Sequence, residues 1–168
     1  KLVGKKAKII QRPMQEGDLD TVVRIHRECF PEDNSTLEDA RDWIGANWRA
    51  TPRTSFFVLE DEQGLVGGYI LWLEKGGFRQ KAVLELEQIG VTSSWRGRGC
   101  ATLLIKESLR RMRVRLEAKG RSLKLVEVTT SADNEAQRLY KKTLGALVEA
   151  TISDLYVGDE AIMVARNP

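Results

Sequence analysis

Cysteine and histidine are scarce in this chain of 168 residues: Cys29, Cys100 and His26 are all it has. The cysteines fall into no redox or metal-ligand spacing, which excludes a disulfide framework, and a single histidine leaves too few soft ligands for a zinc site. No metal is expected, and the thiols read as reduced in a cytoplasmic protein. Proline is also rare, at four residues, and no stretch of biased composition or internal repeat interrupts the chain. One domain spanning residues 1–168 follows. No run approaches the roughly 18 apolar residues of a membrane span, and the basic N-terminus lacks a signal-like apolar stretch. The 27 basic and 24 acidic side chains leave a formal charge of only +3, too little for a nucleic-acid partner to be expected. The arginine-rich segment from Lys106 to Arg121 is the local exception, and reads as a solvated helix face or a docking surface for an acidic partner.

What the chain does have is Trp95-Arg96-Gly97-Arg98-Gly99-Cys100-Ala101, set between a strand-like segment and a helix-like one. Two glycines allow a tight turn that a ligand can approach closely. A helix starting there aims free N–H groups and its positive dipole end outward, an arrangement suited to phosphate. Upstream, residues 82–91 alternate as a strand does; downstream, Ala101, Leu104, Ile105, Leu109, Met112 and Leu116 recur at helical spacing up to Gly120. The glycine spacing matches neither the dinucleotide fingerprint nor the nucleotide-triphosphate loop. Cys100 at a helix N-terminus could have a depressed pKa and act as a nucleophile, although phosphate binding by the turn explains its place better.

The remaining elements alternate. A strand over Ala7 to Arg12 ends at Pro13, and helices are predicted over Leu19 to Cys29 and from about Ser35, with Ser35 and Glu38 at capping-box spacing. The second helix is predicted to bury Leu37, Ala40, Trp43 and Ile44. Ser55 to Glu60 and Leu65 to Leu73 form a hairpin. Leu123 to Thr130 reads as a strand, Asn134 to Leu144 as a helix capped by Ser131 or Asp133, and Leu147 to Val157 with Ala161 to Ala165 as a closing hairpin. The order predicts an α+β fold, a twisted mixed sheet with helices on both faces.

Arg96, Gly99 and Ala101 after the triplet Ile89-Gly90-Val91 resemble the acetyl-CoA signature of the GNAT superfamily of N-acetyltransferases, Arg/Gln-x-x-Gly-x-Gly/Ala. The block from Val126 to Tyr140 resembles that superfamily's next strand, asparagine-bearing turn and tyrosine-bearing helix. The likeness covers most of the chain and implies an α/β/α sandwich whose sheet is mostly antiparallel. It implies acetyl transfer from acetyl-CoA to a primary amine by direct attack in a ternary complex. The pyrophosphate would lie on Arg96, Gly97, Arg98, Gly99, Cys100 and Ala101. Ile89, Gly90 and Val91 would offer backbone to the pantetheine arm, with the Val91 N–H on the acetyl carbonyl.

Such transfer needs a base for the amine, a donor for the developing oxyanion and a proton for the departing thiolate. Glu127 and Glu87 compete as the base; alternation is expected to place each on the face of its apolar neighbours, where desolvation raises a carboxyl pKa. Tyr140, six residues after Asn134, matches the tyrosine that protonates the thiolate. Asn134 itself could bond the pantetheine or cap its helix. The sequence departs from the superfamily pattern after Tyr140, where Lys141 to Ala146 is one residue longer than Tyr-x-x-Leu-Gly-Phe and lacks the phenylalanine. His26 is expected at the surface or half-buried, remote from the cofactor motifs.

Asp18 through Glu32, with Phe30-Pro31, and Tyr156 through Met163 resemble the RimI-like branch, which implies a peptide or protein N-terminal α-amine as acceptor. A small-molecule amine (polyamine, amino acid or antibiotic) is the enzymatic alternative, and a non-catalytic acyl-CoA sensor the other class. Monomer and homodimer both remain open.

Overall fold

A computed structural model describes residues 7–168; the basic N-terminal residues 1–6 lie outside the described residues. Seven strands form one sheet in the order β1 (Ile9–Pro13), β2 (Thr54–Asp61), β3 (Val66–Lys75), β4 (Lys81–Val91), β5 (Ser122–Ser131), β7 (Gly158–Arg166) and β6 (Leu147–Tyr156). Every pairing is antiparallel except β4 with β5, whose crossover is α3 (Cys100–Ala118). Helices α1 (Leu19–Cys29) and α2 (Leu37–Arg49) cover one face, α3 and α4 (Ala136–Leu144) the other. The order and the mixed, mostly antiparallel sheet are those expected from the sequence.

Two cores result because central strands carry apolar side chains on both faces. Under α1 and α2, Val22, Val23, Ile25 and Ile44 meet Val58, Tyr69 and Leu71; under α3 and α4, Leu104, Ile105 and Tyr140 meet Phe57, Ile70, Trp72, Leu84 and Val128. Leu104 is fully buried, and its truncation to alanine would cost about 2–5 kcal/mol.

Local chemistry moves several predicted boundaries. The cap of α2 is Thr36, not Ser35: its hydroxyl accepts the Asp39 N–H at 3.0 Å while the Asp39 carboxylate accepts the Thr36 N–H at 3.0 Å. The helix buries Ala40, Ile44 and Gly45, while Leu37 and Trp43, expected in the core, stay exposed. Helix α4 starts at Ala136, whose N–H donates to Asn134 Oδ1 at 2.8 Å. It ends on Gly145 in the left-handed region, φ 69°, with its N–H on the Lys141 carbonyl, so the extra residue after Tyr140 is absorbed in an ordinary C-terminal cap.

The sheet's important irregularity lies in β4. Leu86 pairs with Trp72 and Gln88 with Leu71, leaving Glu87 as the extra residue of a β-bulge. The parallel pairing with β5 stops at Glu85 opposite Glu127, while β5 continues along β7 to Ser131. Beyond Glu85, the edge of β4 toward β5 has no strand partner.

Candidate active site

The end of this opening is closed by the glycine turn. Gly97 and Gly99 have φ of 70° and 77°, and a Cβ built on either meets nothing within 4 Å, so backbone conformation selects glycine here and the space above it is open. Gly99 is the N-cap of α3, with no side-chain cap, which leaves first-turn N–H groups available to an anion. A cavity of about 150 Å³ lies against Val91, Trp95, Arg96, Gly97, Gly99, Cys100, Ala101 and Thr102. These residues therefore fit a phosphate-bearing cofactor.

Two supports of this turn come from far away in the chain. Trp95 lies flat against Gly67, where a Cβ would sit 2.3 Å from the indole. Glu28 on α1 accepts the Ser93 N–H at 2.7 Å and the Thr92 hydroxyl at 2.9 Å; those bonds lower its pKa. Neither support had a local sequence signal. Arg96 points Nε at the Val91 carbonyl, 3.1 Å, and Arg98 lies over the Trp95 ring at 5.7 Å. Burial pushes the Cys100 thiol pKa up against the smaller opposing effect of Arg98, the reverse of the depression a helix N-terminus alone would give.

Thr92 N–H donates to the Gly67 carbonyl across the β3 side. Successive N–H groups of a strand face opposite edges, so the Val91 N–H faces the opening. Ile89 and Val91 line the α3 side with Tyr140, and Gly90 is buried beneath the Tyr69 ring, where a Cβ would come within 2.8 Å. Tyr140 is 6% exposed. Its hydroxyl has no hydrogen-bond partner among the described residues and is absent from the buried unsatisfied atoms, so its tip retains access to solvent. Desolvation pushes its pKa up to about 12, keeping it protonated as a donor must be.

The two candidate bases occupy different environments. Val126 and Val128 face α3, so alternation puts Glu127 on the opposite face, not among them. There Lys75 Nζ is 3.2 Å from Glu127 and 3.3 Å from Glu85. Burial alone would lower the Lys75 pKa, but the hydrogen bond to Glu127 and both carboxylate charges outweigh it and raise it. Glu87 likewise lies opposite Leu84 and Leu86, and the bulge brings Gln88 to the same side. Unlike Glu127, it has no salt-bridge partner among the described residues. Burial first, and then the charge of Glu85, raise its pKa, opposed by Lys75 and Arg53.

Gln88, the bulge's second residue, leads to a group the sequence reading missed. His26 is buried, not at the surface; its Nδ1 lies 3.1 Å from Gln88 Oε1 and 3.2 Å from the Tyr69 hydroxyl, and its Nε2 3.4 Å from Asp33. The ring stacks on Trp43 at 5.7 Å and tilts against Phe30 at 5.1 Å. Burial lowers its pKa despite Asp33. The turn after α1 is thereby tied to β4 beside Glu87.

A strand that parts from its neighbour at a bulge, and a helix opening on glycine beside it, fit a thioester-bearing phosphate cofactor. The model of the acetyltransferase (GNAT) family matches residues 19–146. The chain belongs to the acetyltransferase (GNAT) family. No curated protein matches it. Among solved structures, a spermidine N-acetyltransferase SpeG chimera from Vibrio cholerae and hSSAT is similar at TM-score 0.74, with 18% identity over 95% of this chain and 96% of that one. An N-acetyltransferase from Staphylococcus aureus gives 0.67 and 22%, over 95% and 99%. A putative GNAT acetyltransferase from Desulfovibrio desulfuricans gives 0.69 and 17%, over 95% and 99%. At such identities the likeness is one of fold. Family membership makes the chain an acetyl-CoA-dependent N-acetyltransferase. Among the described residues no helix is long and apolar enough to cross a membrane, and no cluster of His, Cys, Asp and Glu is placed to hold a metal ion.

Proposed function

We propose that this GNAT enzyme acetylates a primary amine of a small cationic molecule by direct attack, with Glu87 as general base and Tyr140 as general acid. Acetyl-CoA supplies the activated acyl group and a thiol leaving group. The backbone N–H groups from Gly97 to Ala101 bind its phosphates, and the free edge of Ile89, Gly90 and Val91 accepts the pantetheine arm. The Val91 N–H, already aimed into the opening, stabilises negative charge on the acyl oxygen. Asn134 keeps its amide nitrogen for the cofactor while its oxygen caps α4.

The observation that carries the assignment of base is the contrast in pairing. Glu127 shares an ammonium with Glu85, so taking a proton would sacrifice an ion pair. Glu87 has no such partner among the described residues, and its raised pKa brings its proton affinity closer to what a base at neutral pH needs. In the acceptor, charge decides: three carboxylates, Glu85, Glu87 and Glu127, stand on this face against Lys75 and the charge of Arg53, and the net negative field favours a cationic acceptor. The spermidine acetyltransferases among the similar folds agree with this, although the reading rests on this chain's own carboxylates.

A peptide or protein N-terminal α-amine is the second reading, supported by the Phe30–Pro31 turn that His26 holds beside β4. Turnover of acetyl-CoA against matched panels of di- and polyamines, amino acids and N-terminal peptides tests both. Higher kcat/KM for polycationic amines supports the first reading, higher kcat/KM for neutral-flanked peptides the second, and turnover with neither contradicts both.

A further inference from the structure

One cavity lies away from the glycine turn. It measures about 390 Å³ and lies where the C-terminal turns of α3 pass the start of β2 and the β3–β4 loop. Helix α3 has 19 residues, so Arg115 stands ~22 Å along the axis from the glycine turn at 1.5 Å per residue. The volume falls within the range of small-molecule sites.

The lining has two characters. Met112, Leu116, Pro52 and Phe78 give it an apolar floor and rim. Phe78 is 77% exposed, a large aromatic left in water at the cavity mouth, with the Arg121 guanidinium stacked 4.1 Å from its ring. Around this floor stand four cations, Arg53, Arg115, Lys119 and Arg121, and a single carboxylate, Glu74. Glu74 is already committed to Arg121, which also donates to the Arg79 carbonyl. Arg53, Arg115 and Lys119 have no carboxylate within ion-pair distance among the described residues, whereas Arg121 beside them has Glu74.

Arg115 is the best placed of the three. Its Nη1 lies 3.2 Å from the Ser55 hydroxyl, and its guanidinium sits 5.0 Å from the Phe57 ring. Packing on an aromatic face and a hydroxyl holds the planar group in one orientation without neutralising it, and leaves the fork to be used by an incoming acid. Burial and the neighbouring charge of Arg111 both disfavour its charged form, so a bound anion would relieve a local excess of positive charge.

We propose that this cavity is a second ligand site, selective for a small organic carboxylate with an aromatic or branched aliphatic body: the acid bonds Arg115 within reach of Arg53 and Lys119, and the apolar body lies on Met112, Leu116 and Phe78. The site is separate from the glycine turn that holds the cofactor, Arg53 being the lining residue whose charge also reaches Glu87, and it does not depend on which amine is acetylated.

The probe is 1-naphthoate, titrated into the whole protein and followed by amide chemical shifts, with 1-naphthylmethanol as the uncharged isostere. The site requires shifts centred on residues 50–55, 74–78 and 112–121. It also requires the alcohol, and the Arg115→Gln protein, to bind at least about tenfold more weakly, since each lacks the charge-assisted bond, and naphthoate affinity to be unchanged by saturating acetyl-CoA. Phe78→Ala, at an exposed position that cannot unfold the core, should weaken naphthoate while leaving acetyl-CoA affinity as it is. Equal binding of acid and alcohol, shifts confined to other surfaces, no binding at all, or displacement by acetyl-CoA each overturns the proposal.

Discussion

The donor side of the site is built from backbone, whereas the acceptor side is built from side chains. On the donor side, residues 89–101 supply a free strand edge, two glycines in the left-handed region and a helix N-terminus, all within one short segment. On the acceptor side, His26, Lys75, Glu85, Gln88 and Glu127 come from four separate elements: Lys75, Glu85 and Glu127 meet across β3, β4 and β5, and the bulge at Glu87 turns Gln88 to the face of His26. A backbone site announces itself through residue types that the conformation demands. A side-chain site depends on register, which one extra residue resets.

Substitutions that add a side chain should therefore be most damaging on the donor side. Gly99→Glu sets a carboxylate where phosphate belongs and forces a non-glycine residue into φ 77°; acetyl-CoA binding measured by calorimetry should disappear, and retained affinity in the folded variant would break the donor half of the comparison. Tyr140→Phe removes one hydroxyl and keeps the ring, so kcat should fall on the order of 10²-fold with acetyl-CoA affinity unchanged. Full turnover beside a lowered melting temperature would make Tyr140 a core residue only.

Gly67→Ala places a methyl group against the Trp95 indole and should cost about 1–3 kcal/mol in denaturant unfolding, with acetyl-CoA bound more weakly because Trp95 supports the turn. A neutral effect on both would show that Trp95 moves freely. The smallest effect is electrostatic. Lys75→Met removes a charge that lowers the Glu87 pKa, so the acidic limb of the kcat/KM profile should move to higher pH; a shift to lower pH would contradict the placement of Lys75.

Much of this was legible in the sequence, and the failures have physical causes. The bounds of α1 and the glycine turn agree with expectation because each is fixed by residues within a few positions. Ser35 and Thr36 can both cap a helix, and Asp39 decided for Thr36 by closing the reciprocal bond. His26 follows Val22 by four residues and Val23 by three, a spacing that puts it on the buried face of α1; the expectation of a surface or half-buried position overlooked that. The bulge left a trace in Glu87-Gln88, two polar residues in succession that break the alternation of β4. Nothing near Glu127 discloses Lys75, 52 residues away, because ion pairs between strands are set by the sheet and not by the local sequence.

The central claim is that Glu87, half-buried at the bulge and without an ion partner among the described residues, is the base that takes the amine proton. The direct measurement is the pH dependence of kcat/KM for the wild type, Glu87→Gln and Glu127→Gln with one amine acceptor. Because burial raises the Glu87 pKa, the acidic limb of wild-type activity should lie at higher pH than an unperturbed glutamate would give. Glu87→Gln should lose that limb and roughly 10²- to 10⁴-fold in kcat/KM, while Glu127→Gln keeps the limb and most of the activity. A flattened profile in Glu127→Gln together with an intact one in Glu87→Gln would assign the base to Glu127 and contradict the account.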